Sequence, residues 1–137
     1  MINIKKVGVI GLGYVGLPRT LQFCSNGYRV FAFDNDISKI NDLKKGNSYL
    51  SNLNSLKIKK FIKNKTLLPT SNFNNLKKVD AIILCLPTPL NVKLEPELKY
   101  INDTFRIIKK HIKKKLLICL ESTSYPGTTR ELFKPLE

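Results

Sequence analysis

Apolar residues along this chain gather into short continuous runs that alternate with stretches of helical periodicity. Continuous runs are typical of strands covered on both faces, and they fall at 7–10, 29–33, 81–86 and 116–120. A shorter run at 67–70 contains Pro69, which predicts a strand at a sheet edge. The pattern therefore predicts five strands.

Helical patterns separate these strands and predict the connections. Apolar spacing indicates helices at about 16–26, 36–45, 55–63 and 101–112. Asn35 or Asp36 is placed to cap the second of them. Thr128 and Glu131 have the spacing of a capping box for a last helix. Strands that alternate with helices predict a parallel sheet with right-handed crossovers, within one α/β domain over residues 1–137.

The connection after the first strand carries Gly11, Gly13 and Gly16 in the spacing of a dinucleotide phosphate site. Gly11 allows the tight turn, Gly13 lets the backbone approach the phosphates, and Gly16 lets the helix pack on the strand. We expect none of the three to tolerate a Cβ well. A strand, these glycines and a helix in succession predict a Rossmann-type doubly wound sheet of order 3-2-1-4-5.

The second strand ends in Asp34, at the distance from the glycines where such a unit places an acid to accept hydrogen bonds from the adenosine ribose. NADP carries a phosphate on that ribose, so it would bring a second anion beside the carboxylate. This favours NAD. Lys39 lies one helical turn further on, and its charge would partly neutralise an added phosphate.

In the predicted order the first and fourth strands are neighbours, and a ligand binds in the crevice at their carboxyl ends. Thr88, held between two prolines after the fourth strand, has a nearly fixed backbone from which its hydroxyl can be aimed at a cofactor. A rigid turn without a ligand explains it equally well. Ser122 and Thr123 offer further hydroxyls after the fifth strand.

Composition narrows the function classes. The chain carries 24 lysine and arginine residues against 10 acidic ones, a formal net charge of +14. Such a chain can bind nucleic acid through phosphate neutralisation, but the lysines are dispersed and no recognition motif accompanies them. The densest group, at 109–115, closes a predicted helix, where cations suit the helix dipole. We therefore expect no nucleic-acid partner.

The three cysteines lie far apart within apolar patterns, which predicts buried free thiols and neither a disulfide nor a metal site: Cys24, Cys85 and Cys119. No apolar run approaches the length of a bilayer span. No signal-like cleavage region precedes the first strand. We expect a cytoplasmic protein without membrane contact.

Several motifs together resemble one family: Gly-Leu-Gly-Tyr-Val-Gly-Leu-Pro at 11–18, Phe-Asp-Asn-Asp at 33–36, Leu-Pro-Thr-Pro-Leu at 86–90, and Glu-Ser-Thr-Ser-Tyr-Pro-Gly-Thr-Thr at 121–129. In this order they are similar to the UDP-glucose/GDP-mannose dehydrogenases, most of all to the branch acting on UDP-N-acetylhexosamines. The resemblance covers essentially the whole chain.

The resemblance implies a two-step, NAD-dependent oxidation of a sugar C6 alcohol to a carboxylate, for cell-surface polysaccharide synthesis. It implies that Tyr14 and Val15 contact the pyrophosphate, Asp34 the ribose and Lys39 the adenosine side. Thr88 and Thr123 would lie near the nicotinamide. Thr123 would also help to orient the water that hydrolyses an acyl intermediate, which is the single catalytic role this chain could supply.

Other parts of the family pattern have no counterpart among these residues. Family members are much longer, and their nucleophilic cysteine, catalytic lysine and sugar-binding domain would follow the point matching Glu137. Without an activated thiol the second oxidation has no covalent route. We expect that only the full-length form binds a UDP-sugar substrate and assembles as a homo-oligomer. The alternative is a stand-alone, non-catalytic NAD-binding module or an inactive truncated piece. Arg19, where the family usually has an apolar residue, puts local packing in doubt.

Overall fold

A computed structural model describes residues 3–112 and 115–134 of the chain, which form a five-stranded sheet flanked by helices. Neighbouring strands all run parallel, in the order β3-β2-β1-β4-β5. The predicted topology is therefore confirmed. The elements are β1 (Lys6–Ile10), α1 (Gly16–Ser25), β2 (Arg29–Phe33), α2 (Ile37–Lys44), α3 (Ser55–Lys63), β3 (Leu67–Thr70), a 3-10 helix (Phe73–Lys78), β4 (Ala81–Leu84), α4 (Lys99–His111), β5 (Leu117–Leu120) and α5 (Thr128–Phe133).

Apolar side chains pack into two cores, one on each face of the sheet. Residues of α1, α2 and α3 belong to the first core, and residues of α4 and the 3-10 helix belong to the second. The strand β4 serves both, because Ile83 packs into the first core while Ile82 and Leu84 pack into the second. Burial on both faces explains why the strands read as continuous apolar runs.

Strand and helix ends follow the sequence signals closely. Pro69 lies in β3, at the sheet edge, as predicted. Of the two candidate caps of α2, the structure uses Asp36, whose carboxylate accepts hydrogen bonds from the backbone N–H groups of Ser38 and Lys39. In the described part of the chain no helix is long and apolar enough to cross a membrane.

The predicted capping box of α5 is wrong. Gly127 is the N-cap residue of this helix, so Thr128 already lies inside it. The Thr128 hydroxyl donates to the Tyr125 carbonyl at 2.7 Å, and the Glu131 carboxylate accepts from the Tyr125 hydroxyl at 2.6 Å. Both residues stabilise the turn before the helix, through Tyr125 instead of through each other.

Two further differences concern β4 and the segment before it. The strand ends at Leu84, so Cys85 and Leu86 belong to the loop that follows it. The 3-10 helix at Phe73–Lys78 was not predicted, since six residues are too few for a helical period to stand out. Its Phe73 stacks on Phe33 at a ring-centroid distance of 5.4 Å.

Candidate functional site: a cavity at the carboxyl ends of the strands

The carboxyl ends of the central strands border a cavity of about 560 Å³, within the size range of small-molecule sites. Residues after β1, β2, β4 and β5 all line it. Of the residues predicted to bind the cofactor, Gly16 alone does not line the cavity and is buried. The others that line it are Gly11, Gly13, Tyr14, Val15, Asp34, Lys39, Thr88 and Thr123.

The three glycines of the first connection differ in what surrounds them. Gly11 has φ +91°, and a Cβ there would collide with the Cys85 carbonyl group. A Cβ on Gly16 would collide with the Gly11 carbonyl oxygen. At Gly13, no atom beyond the two neighbouring residues lies within 4 Å of the position that a Cβ would take. The expectation that none of the three glycines tolerates a Cβ is therefore wrong for Gly13 when protein atoms alone are considered.

Asp34 holds the glycine loop as well as facing the cavity. Its Oδ2 accepts the backbone N–H of Leu12 at 2.8 Å, and its Oδ1 accepts that of Asp36 at 2.9 Å. The Lys39 Nζ lies 3.7 Å from Oδ2. An ionised carboxylate has about four acceptor positions, so Asp34 retains capacity for hydroxyl donors from a ligand. Sequence reasoning found the residue but not its bond to the loop.

Tyr49 is a residue of this site that sequence reasoning missed. Its hydroxyl donates to the Leu12 carbonyl at 2.6 Å, and its ring lies 5.9 Å from the Lys39 Nζ. Burial raises the pKa of Tyr49 well above its usual range, and the charges of Asp34, Asp36 and Asp42 raise it further. The hydroxyl therefore stays protonated and able to donate. Tyr49 lies in a polar stretch without periodicity, so no sequence signal indicated it.

Residues after β4 and β5 form the opposite wall. The Ser122 Oγ accepts the backbone N–H of Leu86 at 2.9 Å, which ties the two loops together. Thr88 is half-buried and Thr123 is exposed. Arg19 of α1 pairs with Glu121 at 2.9 Å, so the charge that seemed at odds with local packing links the first helix to the end of β5.

Cys85 also lines the cavity, but it is not an activated nucleophile. Burial, followed by the charge of Glu121, raises the pKa of its thiol to about 11, and burial raises that of Cys24 to about 12. Because the thiolate is the reactive species, a raised pKa suppresses its chemistry at neutral pH. Within the described ranges no three His, Cys, Asp or Glu side chains group to hold a metal ion.

We predict that iodoacetamide labels Cys85 in the folded chain at least about tenfold more slowly at pH 8 than in the urea-unfolded chain. The thiolate fraction falls roughly 100-fold, and its greater basicity recovers only part of that loss. Labelling is followed by mass spectrometry of the Cys85 peptide, and its rate should rise steadily between pH 8 and 10. Equal rates in the folded and unfolded chains would contradict the raised pKa.

These features fit a dinucleotide. Gly13 leaves open space where a phosphate must approach the backbone, and the N-terminus of α1 follows directly. Asp34 offers a carboxylate to ribose hydroxyls at the end of β2. Fold and cavity together define a dinucleotide-binding domain of the Rossmann type.

Comparison with known proteins also identifies a dinucleotide-binding domain, and it identifies the family. Residues 5–137 match the NAD binding domain of the UDP-glucose/GDP-mannose dehydrogenase family. The chain belongs to this family, and its cofactor is NAD. The match confirms the resemblance that the motifs indicated.

Individual relatives agree. Protein CapL of Staphylococcus aureus is 35% identical, over 96% of this chain and 30% of that protein. The UDP-N-acetyl-D-glucosamine 6-dehydrogenase of Pseudomonas aeruginosa is 33% identical, over 92% of this chain and 29% of that protein. The solved structure of UDP-D-ManNAc dehydrogenase from Pyrococcus horikoshii superposes with a TM-score of 0.90 at 30% identity, over 96% of this chain and 32% of that one. The chain thus spans about a third of the length of these relatives.

Proposed function

We propose that this chain is the NAD-binding part of a nucleotide-sugar 6-dehydrogenase, which oxidises the C6 alcohol of a UDP-sugar to the uronate for cell-surface polysaccharide synthesis. The substrate is proposed to be a UDP-N-acetylhexosamine. The observation that carries the proposal is that the glycine loop, Asp34 and the loops after β4 and β5 all line the same cavity. Similarity to a UDP-N-acetyl-D-mannosamine dehydrogenase and to a UDP-N-acetyl-D-glucosamine 6-dehydrogenase supports the substrate class.

Each part of the cavity takes one part of the cofactor in this proposal. Gly11, Gly13 and Gly16 shape the loop that receives the pyrophosphate, with Tyr14 and Val15 beside it. Asp34 binds the adenosine ribose, and Lys39 lies on the adenosine side. The Leu12 N–H and the Lys39 ammonium group already hold the Asp34 carboxylate before the cofactor arrives, which lowers the entropic cost of binding.

The nicotinamide end is proposed to lie between the loops after β4 and β5. Thr88 and Thr123 supply hydroxyls there, and the Ser122 bond to Leu86 keeps the two loops at a fixed separation. Thr123 is exposed at the cavity, which leaves its hydroxyl available to orient a water molecule during acyl hydrolysis. NAD, when bound, accepts the hydride from the sugar.

The wider setting is proposed as well. Residues 1–137 form one NAD-binding domain of a cytoplasmic enzyme that assembles as a homo-oligomer in its full-length form. Nucleic acid is not a proposed partner, since the cations are dispersed over the sequence and binding through them alone would collapse with added salt.

The test is calorimetric titration with NAD and NADP. We expect one NAD site and weaker binding of NADP. NAD at 100 times its dissociation constant should stabilise the fold by about 2.7 kcal/mol, visible as a rise of several degrees in Tm. No heat and no change in Tm with either cofactor would contradict the proposal.

A second titration separates the enzyme from the non-catalytic module. UDP-N-acetylglucosamine is added to the NAD complex of the full-length form, the form for which a UDP-sugar substrate is proposed, and release of heat supports a nucleotide-sugar site adjoining the cofactor. NAD binding without any heat from the UDP-sugar favours the module that binds the cofactor and turns nothing over.

A further inference from the structure

The Leu12 peptide groups lie at the centre of the glycine loop and are held from two directions. Asp34 accepts the Leu12 N–H at 2.8 Å, and Tyr49 donates to the Leu12 carbonyl at 2.6 Å. The Leu12 side chain is itself fully buried. Both backbone polar groups and the side chain of this residue are therefore fixed by the fold, although the loop belongs to no helix or strand.

The bond from Tyr49 acts on the peptide unit that joins Leu12 to Gly13. A trans peptide is planar, with its C=O and N–H pointing in opposite directions. A donor on the Leu12 carbonyl therefore directs the Gly13 N–H away from Tyr49. Gly13 lines the cavity, and a Cβ on it would meet no other atom within 4 Å, so this amide lies where the backbone is open to a ligand.

Accepting a hydrogen bond at the carbonyl also polarises the amide of the same peptide unit. Hydrogen bonds in series strengthen one another by roughly 10–30%. Tyr49 is half-buried and its bond to the Leu12 carbonyl is partly buried, so water competes less for this carbonyl. The Gly13 N–H consequently becomes a better donor to an anion.

We infer that Tyr49 is a positioning residue of the dinucleotide site: its hydroxyl sets the orientation of the Leu12–Gly13 peptide and strengthens the Gly13 N–H as a donor to the cofactor pyrophosphate. This inference rests on the proposed function. Tyr49 need not touch the cofactor, because it acts through the peptide.

The Tyr49 ring has a separate task that the test must keep apart from the hydroxyl. Its centroid lies 5.9 Å from the Lys39 Nζ, within range of a cation–π contact, and Lys39 in turn lies 3.7 Å from Asp34. Tyr49→Phe removes the hydroxyl and keeps the ring, whereas Tyr49→Leu removes both.

The experiment measures NAD affinity of the whole chain by calorimetry. We expect Tyr49→Phe to weaken NAD binding about 3- to 10-fold, the equivalent of one hydrogen bond. Tyr28→Phe is the matched control, because Tyr28 is also half-buried but packs edge to face on Phe23 and does not line the cavity. It should bind NAD as the unaltered chain does.

Nuclear magnetic resonance supplies a readout that a purely structural role would not move. Loss of the donor should shift the Leu12 carbonyl carbon and Gly13 amide nitrogen resonances in the cofactor-free chain, with most other resonances unchanged. A lower Tm together with unchanged NAD affinity overturns the inference, as does a loss of affinity in Tyr49→Leu that Tyr49→Phe does not share. Absence of NAD binding in the unaltered chain overturns the proposed function and this inference with it.

Discussion

Replacing Gly13 by alanine is expected to lower NAD affinity at least about 100-fold while leaving the stability of the folded chain unchanged or slightly higher. Apart from its two chain neighbours, the added methyl meets no protein atom within 4 Å, so the fold has no reason to shift. It occupies the space through which the pyrophosphate would reach the backbone amides, each worth about 1.5–3 kcal/mol when its partner is charged. Losing glycine also restricts the unfolded chain, which adds about 0.4–1 kcal/mol of stability.

Gly16→Ala is the matched variant with the opposite expectation. Its methyl would collide with the Gly11 carbonyl oxygen and lie 3.2 Å from the Cys85 Cβ, so α1 must move away from β1. Such overpacking costs about 1–3 kcal/mol, a fall of several degrees in Tm at this chain length. Gly16→Ala should therefore lower Tm, whereas Gly13→Ala should not.

The NAD affinity of both variants is measured by calorimetry, and their Tm by thermal unfolding. Full NAD affinity in Gly13→Ala would show that the backbone at this position does not approach the phosphates, and the placement of the pyrophosphate would have to be abandoned. A large loss of Tm in the same variant would show that Gly13 is needed for the fold and not for the ligand.

The sheet could be predicted from the sequence because its signals are local and agree with one another. The apolar run at 81–86 predicts a buried strand, and the structure has Ala81–Leu84 in the sheet between β1 and β5. Strand order followed from the glycines after the first strand, since the phosphate-binding turn identifies the central strand of this topology. The 3-10 helix was not predicted, because six residues with one buried side chain, that of Leu76, show no helical period.

The site was predicted less completely, and the reason lies in the distance along the chain between bonded residues. Asp34 and Thr88 stand at strand ends, where topology alone brings side chains together. Tyr49 bonds to Leu12 across 37 residues, from a stretch whose path no periodicity describes. The doubt about Arg19 came from the apolar residue that the family usually has at this position, whereas its partner Glu121 lies 102 residues away along the chain. Side-chain bonds between loops depend on the finished fold and leave no local pattern.

Replacing Asp34 by asparagine should reduce the preference for NAD over NADP about 100-fold. Asparagine keeps one acceptor oxygen, which serves the Leu12 N–H and holds the glycine loop in place, whereas the exposed Asp36 N–H loses its acceptor. Ribose hydroxyls lose a charged acceptor, which weakens NAD roughly tenfold. A phosphate on the ribose no longer meets a carboxylate, and Lys39, now 3.7 Å from a neutral group, is free to pair with it, which strengthens NADP by a similar factor.

Asp36→Asn is the control for removal of one negative charge. Asp36 caps α2 and is exposed, asparagine caps equally well, and the residue does not line the cavity. Its affinities for the two cofactors should remain as in the unaltered chain, when both are measured by calorimetry at one ionic strength. An unchanged ratio of NAD to NADP affinity in Asp34→Asn would show that the Asp34 carboxylate does not bind the adenosine ribose. An equal change in both variants would assign the preference for NAD to the net charge near α2 instead of to the contact at the end of β2.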